Sequence, residues 1–314
     1  MSRKKDIFTS RKKQKIRTKR VILIAIASLF ILGVGTKGIK ATTAFISEQR
    51  EKKIELKKKA EEERILAEKK RKEEEERKKM MIGVGPNGKS FADDASKVAE
   101  QLAKYDYSNN GKKVVYLTFD DGTSTTNTPS ILKTLKDNDI KATFFITGQN
   151  LLAGGQKAKD LLKQELEEGH AIANHSFTHD YNFLYPGRTL NFENFKSDFD
   201  KTDDLLKEVL GPYFSTRVLR CPGGHMSWKG MDELDNYLKE NNKVSIDWNA
   251  LNGDAEGRKK SANELINRAI TTSQDKNMVV LLMHDTYGKE ETAKALPEII
   301  KYFKDNGYEF RTLV

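Results

Sequence analysis

Val-Val-Tyr-Leu-Thr-Phe-Asp-Asp-Gly, residues 114–122, is an apolar run that ends in two adjacent carboxylates and a glycine. The run predicts a buried strand, and the glycine predicts a turn directly after Asp120 and Asp121. Further along the chain, residues 175–179 read His-Ser-Phe-Thr-His. Two carboxylates and two imidazoles suffice for a metal site with one base to spare, so the combination indicates hydrolytic chemistry.

From residue 112 onward, short apolar runs alternate with amphipathic helical patterns. This alternation predicts an α/β fold with a largely parallel sheet of about seven strands, arranged as a barrel or as an open sheet. In both arrangements catalytic residues gather where strands end and loops begin. The expected strands are residues 114–119, 142–147, 171–174, 217–220, 243–247, 278–283 and 308–313. The expected helices are residues 128–138, 157–168, 192–209, 229–241, 261–272 and 291–306.

The chain of 314 residues has a formal charge of +10, which at first suggests a nucleic acid or a membrane surface as partner. Residues 1–81 carry 26 Lys and Arg against 12 Asp and Glu, whereas residues 82–314 carry 30 against 34. The basic excess therefore lies outside the expected folded domain, and we expect no nucleic-acid partner. The single cysteine, Cys221, excludes an intramolecular disulfide and does not reveal the compartment.

The start of the chain has the pattern of a membrane anchor. Residues 1–20 hold ten Lys or Arg and one acid, and residues 21–36 contain no charge. Because a positive flank stays inside, we expect a basic cytoplasmic tail over residues 1–20 and a transmembrane signal-anchor over residues 21–40. The alternative is a cleavable signal peptide, for which residues 42–44, Thr-Thr-Ala, form a weak cleavage site. The prediction is a single-pass protein of the cell membrane with an extracellular folded domain.

Residues 47–81 consist almost entirely of Glu, Lys and Arg. Several Glu precede Lys or Arg by four residues, as Glu68 precedes Lys72, and this order favours a helix. The segment is either a semi-rigid helical spacer or a solvated, partly disordered charge run. Glycines and a proline then break the pattern, so residues 82–111 are expected to be a linker with one short helix. The domain proper is expected over residues 112–314.

Each motif at a strand end has a chemical and a structural interpretation. In the chemical interpretation, the chain turns so that both acids face one pocket, where one of Asp120 and Asp121 binds a metal and the other accepts a proton. In the structural interpretation, the pair is only a polar turn. A helix or a tight turn would place His175 and His179 on one face, as zinc binding requires, although such pairs are often surface histidines. His284, after the strongest apolar strand, is a candidate general acid.

Two further polar segments follow expected strands. Residues 220–224, Arg-Cys-Pro-Gly-Gly, offer an arginine that can hold a carboxylate and glycines that let backbone N–H groups approach a ligand. Residues 247–254 contain Trp248 and Asp254. Trp228 and Trp248 are candidate sugar platforms, and Trp248 is also a candidate core residue.

Five motifs in this order resemble the polysaccharide deacetylase family, also called the NodB-homology family or carbohydrate esterase family 4. They are Thr-Phe-Asp-Asp-Gly, Asn-His-Ser-x-x-His, Arg-x-Pro-x-Gly, a Trp…Asp segment and Leu-x-His. The resemblance covers roughly residues 112–314. The resemblance implies a distorted (β/α) barrel and the metal-dependent removal of acetyl groups from N-acetylated sugars.

The resemblance also implies a role for each matching residue. Asp120 matches the general base, Arg220 the residue that orients it, and His284 the general acid, whose pKa a nearby carboxylate raises. The implied catalytic residues are Asp120, His284, Arg220 and Asp254. The implied metal ligands are Asp121, His175 and His179. The implied substrate-binding residues are Pro222, Gly223, Leu282 and Trp248, with Leu282 lining the pocket for the acetyl methyl group.

Three positions depart from the family pattern. Asp180 stands where the family usually has proline, Gly223 stands where an aromatic residue is common, and Ala255 stands where tryptophan is frequent. The departures leave the metal and acid–base residues complete. They put the sugar subsites in doubt.

Two histidines and one carboxylate suit zinc first, with cobalt, manganese and iron(II) as alternatives. We expect N-deacetylation of N-acetylglucosamine in a cell-envelope glycan, with peptidoglycan as the first candidate. N-acetylmuramic acid, a chitin-like polymer and poly-N-acetylglucosamine are alternative substrates, as is an acetyl ester on xylan. The alternative from a different class is a non-catalytic glycan-binding protein of the envelope.

Overall fold

The computed structural model describes residues 36–314. The expected basic tail, residues 1–20, and the expected anchor as far as residue 35 lie outside the described residues. Within the described part of the chain, no helix combines the length and the apolar character that a membrane span requires.

The Glu-, Lys- and Arg-rich segment lies on one long helix, α1 (Thr36–Lys79), of 44 residues. At roughly 1.5 Å per residue this helix is about 66 Å long. The expected pair of Glu68 and Lys72 is formed, with 3.2 Å between Oε1 and Nζ. Residues 47–79 are therefore helical, as one of the two interpretations predicted. The helix starts earlier than expected, at Thr36, and ends at Lys79, and Met81–Ile82 forms a strand.

Residues Glu76–Val314 form a compact unit. Its main sheet is parallel throughout and follows the order β8-β7-β5-β4-β3-β10-β9, with β11 added beside the start of β3. The strands of the unit are β1 (Met81–Ile82), β2 (Ala92–Asp93), β3 (Val114–Gly122), β4 (Thr143–Ile146), β5 (Ala171–Asn174), β6 (Phe214–Ser215), β7 (Val218–Leu219), β8 (Val244–Ser245), β9 (Ala250–Leu251), β10 (Met278–His284), β11 (Glu309–Phe310) and β12 (Thr312–Leu313).

The α/β class and the parallel sheet of about seven strands are confirmed. The expected barrel is a curled half-barrel, because its outer strands β8 and β9 do not pair with each other within residues 36–314. The single strand expected over residues 308–313 is two strands, since β12 turns away from β11 to pair with β2.

Helices cover the sheet where amphipathic patterns predict them. The expected bounds of the six helices are correct to within three residues at each end, and short helices add to them. The helices of the compact unit are α2 (Ala95–Ala103), α3 (Thr128–Asp137), α4 (Gly148–Ala153), α5 (Gly155–Glu167), α6 (Tyr181–Leu184), α7 (Phe192–Leu210), α8 (Asp232–Glu240), α9 (Ala262–Ser273) and α10 (Glu290–Asp305).

Residues 82–111 belong to the compact unit, where the sequence predicted a linker. β1 pairs with β6, and β2 pairs with β12, both in parallel. Ala95 and Val98 of α2 are buried in a hydrophobic cluster of the unit. Strands of two residues are too short to show a period, so the sequence pattern could not reveal them.

The two faces of the sheet explain where the polar residues lie. Val115, Leu117 and Phe119 of β3 pack in the larger hydrophobic cluster with helices α3 and α10, whereas Tyr116 packs in a second cluster. Because side chains alternate along a strand, Asp120 falls on the same face as Tyr116. The carboxyl end of β3 therefore carries its first aspartate away from the larger core.

Candidate active site

The end of β3 contains a bulge that turns both aspartates to one side. The register of β3 against β4 shifts between Asp120 and Gly122, so Asp121 is the extra residue. Its φ of 66° lies in the left-handed region, which few non-glycine residues adopt. Asn150 Nδ2 donates to the Asp121 carbonyl at 2.9 Å and Thr147 Oγ1 to its carboxylate at 3.3 Å. The sequence predicted the shared direction, and the bulge produces it.

His175 and His179 lie on a tight turn after β5, which is one of the two geometries expected for them. Ser176, with a φ of 71°, donates its backbone N–H to Asn174 Oδ1 at 2.9 Å. Asp198 of α7 is buried and accepts the N–H groups of the two residues between Ser176 and His179, at 2.7 and 3.0 Å. These bonds shape the turn so that both imidazoles face Asp121.

Ligand atoms of Asp121, His175 and His179 lie within 4.8 Å of one another. Nε2 of each imidazole is 3.6 Å from Asp121 Oδ1. His175 Nδ1 lies 2.8 Å from the carbonyl oxygen of Arg220, which can only accept, so the proton sits on Nδ1 and Nε2 faces the cluster unprotonated. Metal-binding histidines use the same kind of bond to fix the ring.

The charge states of this cluster suit a divalent cation. Burial lowers the pKa of His175 although the carboxylates of Asp120 and Asp121 act against it, so the ring is neutral. Burial would raise the pKa of Asp121, but the neighbouring imidazoles outweigh it and hold that pKa below its usual value. A neutral imidazole and an ionised carboxylate are the forms that bind metals. The residues present therefore fit a divalent metal ion.

Asp120 is held by a fully buried arginine. Arg220 Nη1 donates to Asp120 Oδ1 at 2.7 Å and to Thr118 Oγ1 at 2.9 Å. Its Nε donates to the carbonyl of Ile246 at 2.9 Å, and its guanidinium lies 4.1 Å from the ring centre of Phe145. The other carboxylate oxygen, Oδ2, lies 3.5 Å from His175 Nε2. One oxygen of Asp120 is thus fixed and the other faces the ligand cluster.

His284 stands beside Asp120 because β10 and β3 pair in parallel and place these two residues in register. Asp254 accepts from His284 Nδ1 at 2.7 Å and from its backbone N–H at 2.9 Å. Burial opposes a charged ring, but the bond to Asp254 and the nearby carboxylates of Asp120 and Asp121 raise the pKa of His284 to about 9. At neutral pH the ring is a protonated donor with Nε2 as its second N–H.

The residues expected to bind substrate are more scattered. Leu282 lies on the same strand face as His284, two residues before it, and is half-buried. Pro222 is buried, and its carbonyl accepts the Trp228 indole N–H at 2.8 Å. Gly223 and Trp248 line a cavity of about 640 Å³ whose lining contains none of the implied catalytic residues or metal ligands. Trp248 also packs against the second hydrophobic cluster, as its alternative role as a core residue predicts.

Several residues of the site were not predicted from the sequence. Asp198 looks like an ordinary polar position of α7, and nothing in the pattern marks it. Tyr181 has an exposed ring whose centre is 5.3 Å from that of His179, and its place two residues after that histidine was the only signal. Asp285 is fully buried, and burial raises its pKa above the ordinary value of an aspartate. Its backbone N–H donates to the Asp120 carbonyl at 3.2 Å, so this hydrogen bond helps to hold the end of β3.

The arrangement places a base, an acid and a candidate metal cluster at neighbouring strand ends. Asp120 can accept a proton, and His284 can donate one. The side chain of His179 is 29% exposed, so the cluster is open to solvent. Such a set can activate water against a carbonyl group and protonate the group that leaves.

Comparison with known proteins gives consistent matches. A family model for polysaccharide deacetylases matches residues 107–239. A peptidoglycan-N-acetylglucosamine deacetylase of Bacillus cereus is 35% identical over 207 residues, which are 64% of this chain and 70% of that protein. A CE4 esterase structure from Streptococcus mutans has a TM-score of 0.67 and 37% identity and covers 74% of this chain and 98% of its own. The catalytic domain of a peptidoglycan N-acetylglucosamine deacetylase from Eubacterium rectale has a TM-score of 0.57 and 30% identity, over 66% of this chain and 90% of its own.

Proposed function

This chain belongs to the polysaccharide deacetylase family, and we propose that, within this family, it hydrolyses the acetamido group of N-acetylglucosamine in a cell-envelope glycan. Peptidoglycan is the polymer that we propose, because two of the similar proteins are named as deacetylases of its N-acetylglucosamine. One observation carries the proposal: the Asp120–Arg220 pair and the His284–Asp254 pair meet beside the histidine–aspartate cluster.

We propose that Asp121, His175 and His179 hold a divalent cation. Their donor set suits zinc first, and cobalt, manganese and iron(II) are the alternatives. Three protein ligands are the usual number in a catalytic zinc site. When bound, such an ion supplies a Lewis acid that polarises the carbonyl and makes water nucleophilic near neutral pH.

Asp120 and His284 divide the proton transfers between them. Asp120 Oδ2 faces the cluster and accepts a proton from the attacking water, while Arg220 holds Oδ1 and orients the carboxylate. His284 donates its Nδ1–H in a hydrogen bond to Asp254, keeps that proton, and gives the Nε2 proton to the amide nitrogen. The nitrogen then leaves as an amine, which an unprotonated amide nitrogen cannot do readily.

We expect the pH profile to depend on Asp254. The pKa of His284 is raised to about 9, so the protonated donor is present below that pH and is lost as the pH rises through it. Asp254→Asn removes the carboxylate that raises the pKa of His284, so burial lowers this pKa with less opposition. The alkaline limb of the kcat profile should therefore move from about 9 towards the ordinary histidine value of 6.5 or below. The measurement is kcat against pH for both proteins. An unchanged alkaline limb would contradict the role of His284 as the acid.

Metal removal and substrate choice test the proposed function together. The purified protein, treated with chelator or reloaded with zinc, is incubated with N-acetylglucosamine oligomers, peptidoglycan fragments and acetylated xylan, and the product masses are read. We expect loss of acetyl groups from the first two substrates only after reloading. No loss on any substrate from a protein with bound zinc would favour the non-catalytic glycan-binding alternative, and loss from xylan alone would favour an esterase.

We also propose that residues 21–40 anchor the protein in the cell membrane with the catalytic domain outside. The basic excess of residues 1–20 and the uncharged run after it support this placement. Cell fractionation checks it: the full chain should sediment with membranes, and a chain lacking residues 1–40 should not. A soluble full-length chain would contradict the anchor, and a soluble chain shortened to begin near residues 42–44 would favour the cleavable signal peptide.

A further inference from the structure

Two of the departures from the family pattern, Asp180 and Gly223, meet at one aromatic pair. The Asp180 carboxylate accepts the backbone N–H groups of Asn182 and Phe183 at 2.8 and 3.4 Å and so caps the short helix α6. A proline has no such oxygen, so the aspartate supplies a cap that the usual residue cannot. With Asp180 as its N-cap, α6 begins at Tyr181, two residues after His179.

Tyr181 and Trp228 fill the space that a side chain at position 223 would enter. A Cβ atom added at Gly223 would lie 3.0 Å from Trp228 Cζ2 and 3.4 Å from both Cζ and the hydroxyl oxygen of Tyr181. The φ of Gly223, 78°, is also one that side chains other than glycine rarely adopt. A side chain at position 223 would therefore meet a ring from α6 and the ring of Trp228.

Trp228 is held in place by its neighbours, and Tyr181 beside it is exposed. Trp228 donates its indole N–H to the Pro222 carbonyl and stacks on buried Tyr185, with ring centres 4.1 Å apart and planes 8° apart. Tyr181 and Trp228 meet at 60° with centres 5.2 Å apart, which makes a corner of two rings. Tyr181 is 44% exposed, and its ring lies 5.3 Å from that of His179. The corner is therefore preorganised next to the ligand cluster.

We propose that Tyr181 and Trp228 form a sugar-binding subsite that receives the apolar C–H face of a pyranose ring beside the reacting acetamido group. A pyranose has an apolar face and a polar rim, and a rigid aromatic corner flanked by carboxylates and imidazoles matches both. Asp180 positions the first ring, and Gly223 leaves room for it. This inference rests on the proposed function, since it names the surface that holds that substrate.

Steady-state kinetics of the full-length protein test the subsite. With N-acetylglucosamine oligomers, Tyr181→Ala should raise KM roughly tenfold and leave kcat nearly unchanged, because stacking holds the sugar without taking part in proton transfer. Tyr181→Phe should keep most of the affinity, since the ring supplies it. The matched control is Phe183→Ala, which removes another exposed aromatic ring from the same helix and should leave KM unchanged.

Two further readouts separate a lost subsite from a damaged metal site. Zinc content, and turnover of an aryl acetate that carries no sugar, should be the same in Tyr181→Ala and in the parent. Deacetylation with an unchanged KM in Tyr181→Ala would overturn the subsite and leave the proposed function standing. Loss of zinc or of aryl acetate turnover would overturn it as well, by showing a structural role for the ring.

Equilibrium binding of the same oligomers, followed by tryptophan fluorescence, distinguishes failure of the proposed function from failure of the subsite. Trp228 is one of only two tryptophans in the chain, so a sugar on the corner should change the signal. Binding that depends on Tyr181 without deacetylation would overturn the proposed function and support the subsite. Neither binding nor deacetylation by the zinc-loaded parent would overturn both.

Discussion

Asp120→Asn is expected to lower kcat on N-acetylglucosamine oligomers about a thousandfold, within the range of roughly 10² to 10⁴ that a general base contributes. The amide has nearly the same shape as the carboxylate but cannot accept the proton of the attacking water. Arg220 keeps an oxygen to bind, so the fold should persist. The measurement is kcat with saturating substrate, supported by the thermal midpoint of unfolding.

Zinc content distinguishes this loss from damage to the ligand cluster. Asp120→Asn should retain the metal, because the proposed ligands are Asp121, His175 and His179. Asp121→Asn should lose both metal and activity. Asp137→Asn, at an exposed ion pair with Lys133, is the matched control and should change neither. Retention of more than about a tenth of the parent kcat by Asp120→Asn would contradict its role as base.

The largest expected effect on stability comes from Arg220→Leu. This change leaves the Asp120 carboxylate buried without a partner, and breaking a buried ion pair from one side costs about 3–5 kcal/mol of unfolding free energy. It also removes the donor to Thr118 and to the carbonyl of Ile246. The measurement is chemical denaturation of the parent and the variant.

The matched control is Arg258→Leu. Arg258 pairs with Glu264 in an exposed position, with 72% of its side chain accessible, so its removal should leave the unfolding free energy unchanged within error. Arg220→Lys keeps the charge but cannot reach all the acceptors of the guanidinium, so it should lie between the parent and Arg220→Leu. Equal stability of Arg220→Leu and Arg258→Leu would contradict the claim that loss of Arg220 leaves a costly unpaired charge on Asp120.

The sequence predicts the long strands well, and it places polar side chains at their ends, for a physical reason. Buried parallel strands are continuous apolar runs, so β5 is predicted with its observed bounds. The polar residues at the ends of β3 and β10 and directly after β5 are recognised as marking strand ends. Polar side chains at adjacent strand ends converge, and the resemblance to a family assigns their roles. The contact between Asp120 and Arg220, a hundred residues apart, follows from that resemblance and not from periodicity.

What the sequence did not predict depends on tertiary contacts. The bulge at Asp121 requires Asn150 and Thr147, which lie on the next strand–helix connection. The pairing of β2 with β12 joins segments far apart in the chain, and two residues carry no recognisable pattern. The missing aromatic residue at Gly223 is visible in the sequence, but the closeness of this position to the rings of Tyr181 and Trp228 is not.

The most direct test of N-deacetylation with Asp120 as the base is to measure free amine on the glycan and acetate in solution during one reaction. Zinc-loaded parent protein and Asp120→Asn are compared on N-acetylglucosamine oligomers. We expect equal amounts of new amine and acetate from the parent and almost none from Asp120→Asn. Acetate without new amine, or equal amine from both proteins, would contradict an N-deacetylase that uses Asp120 as its base.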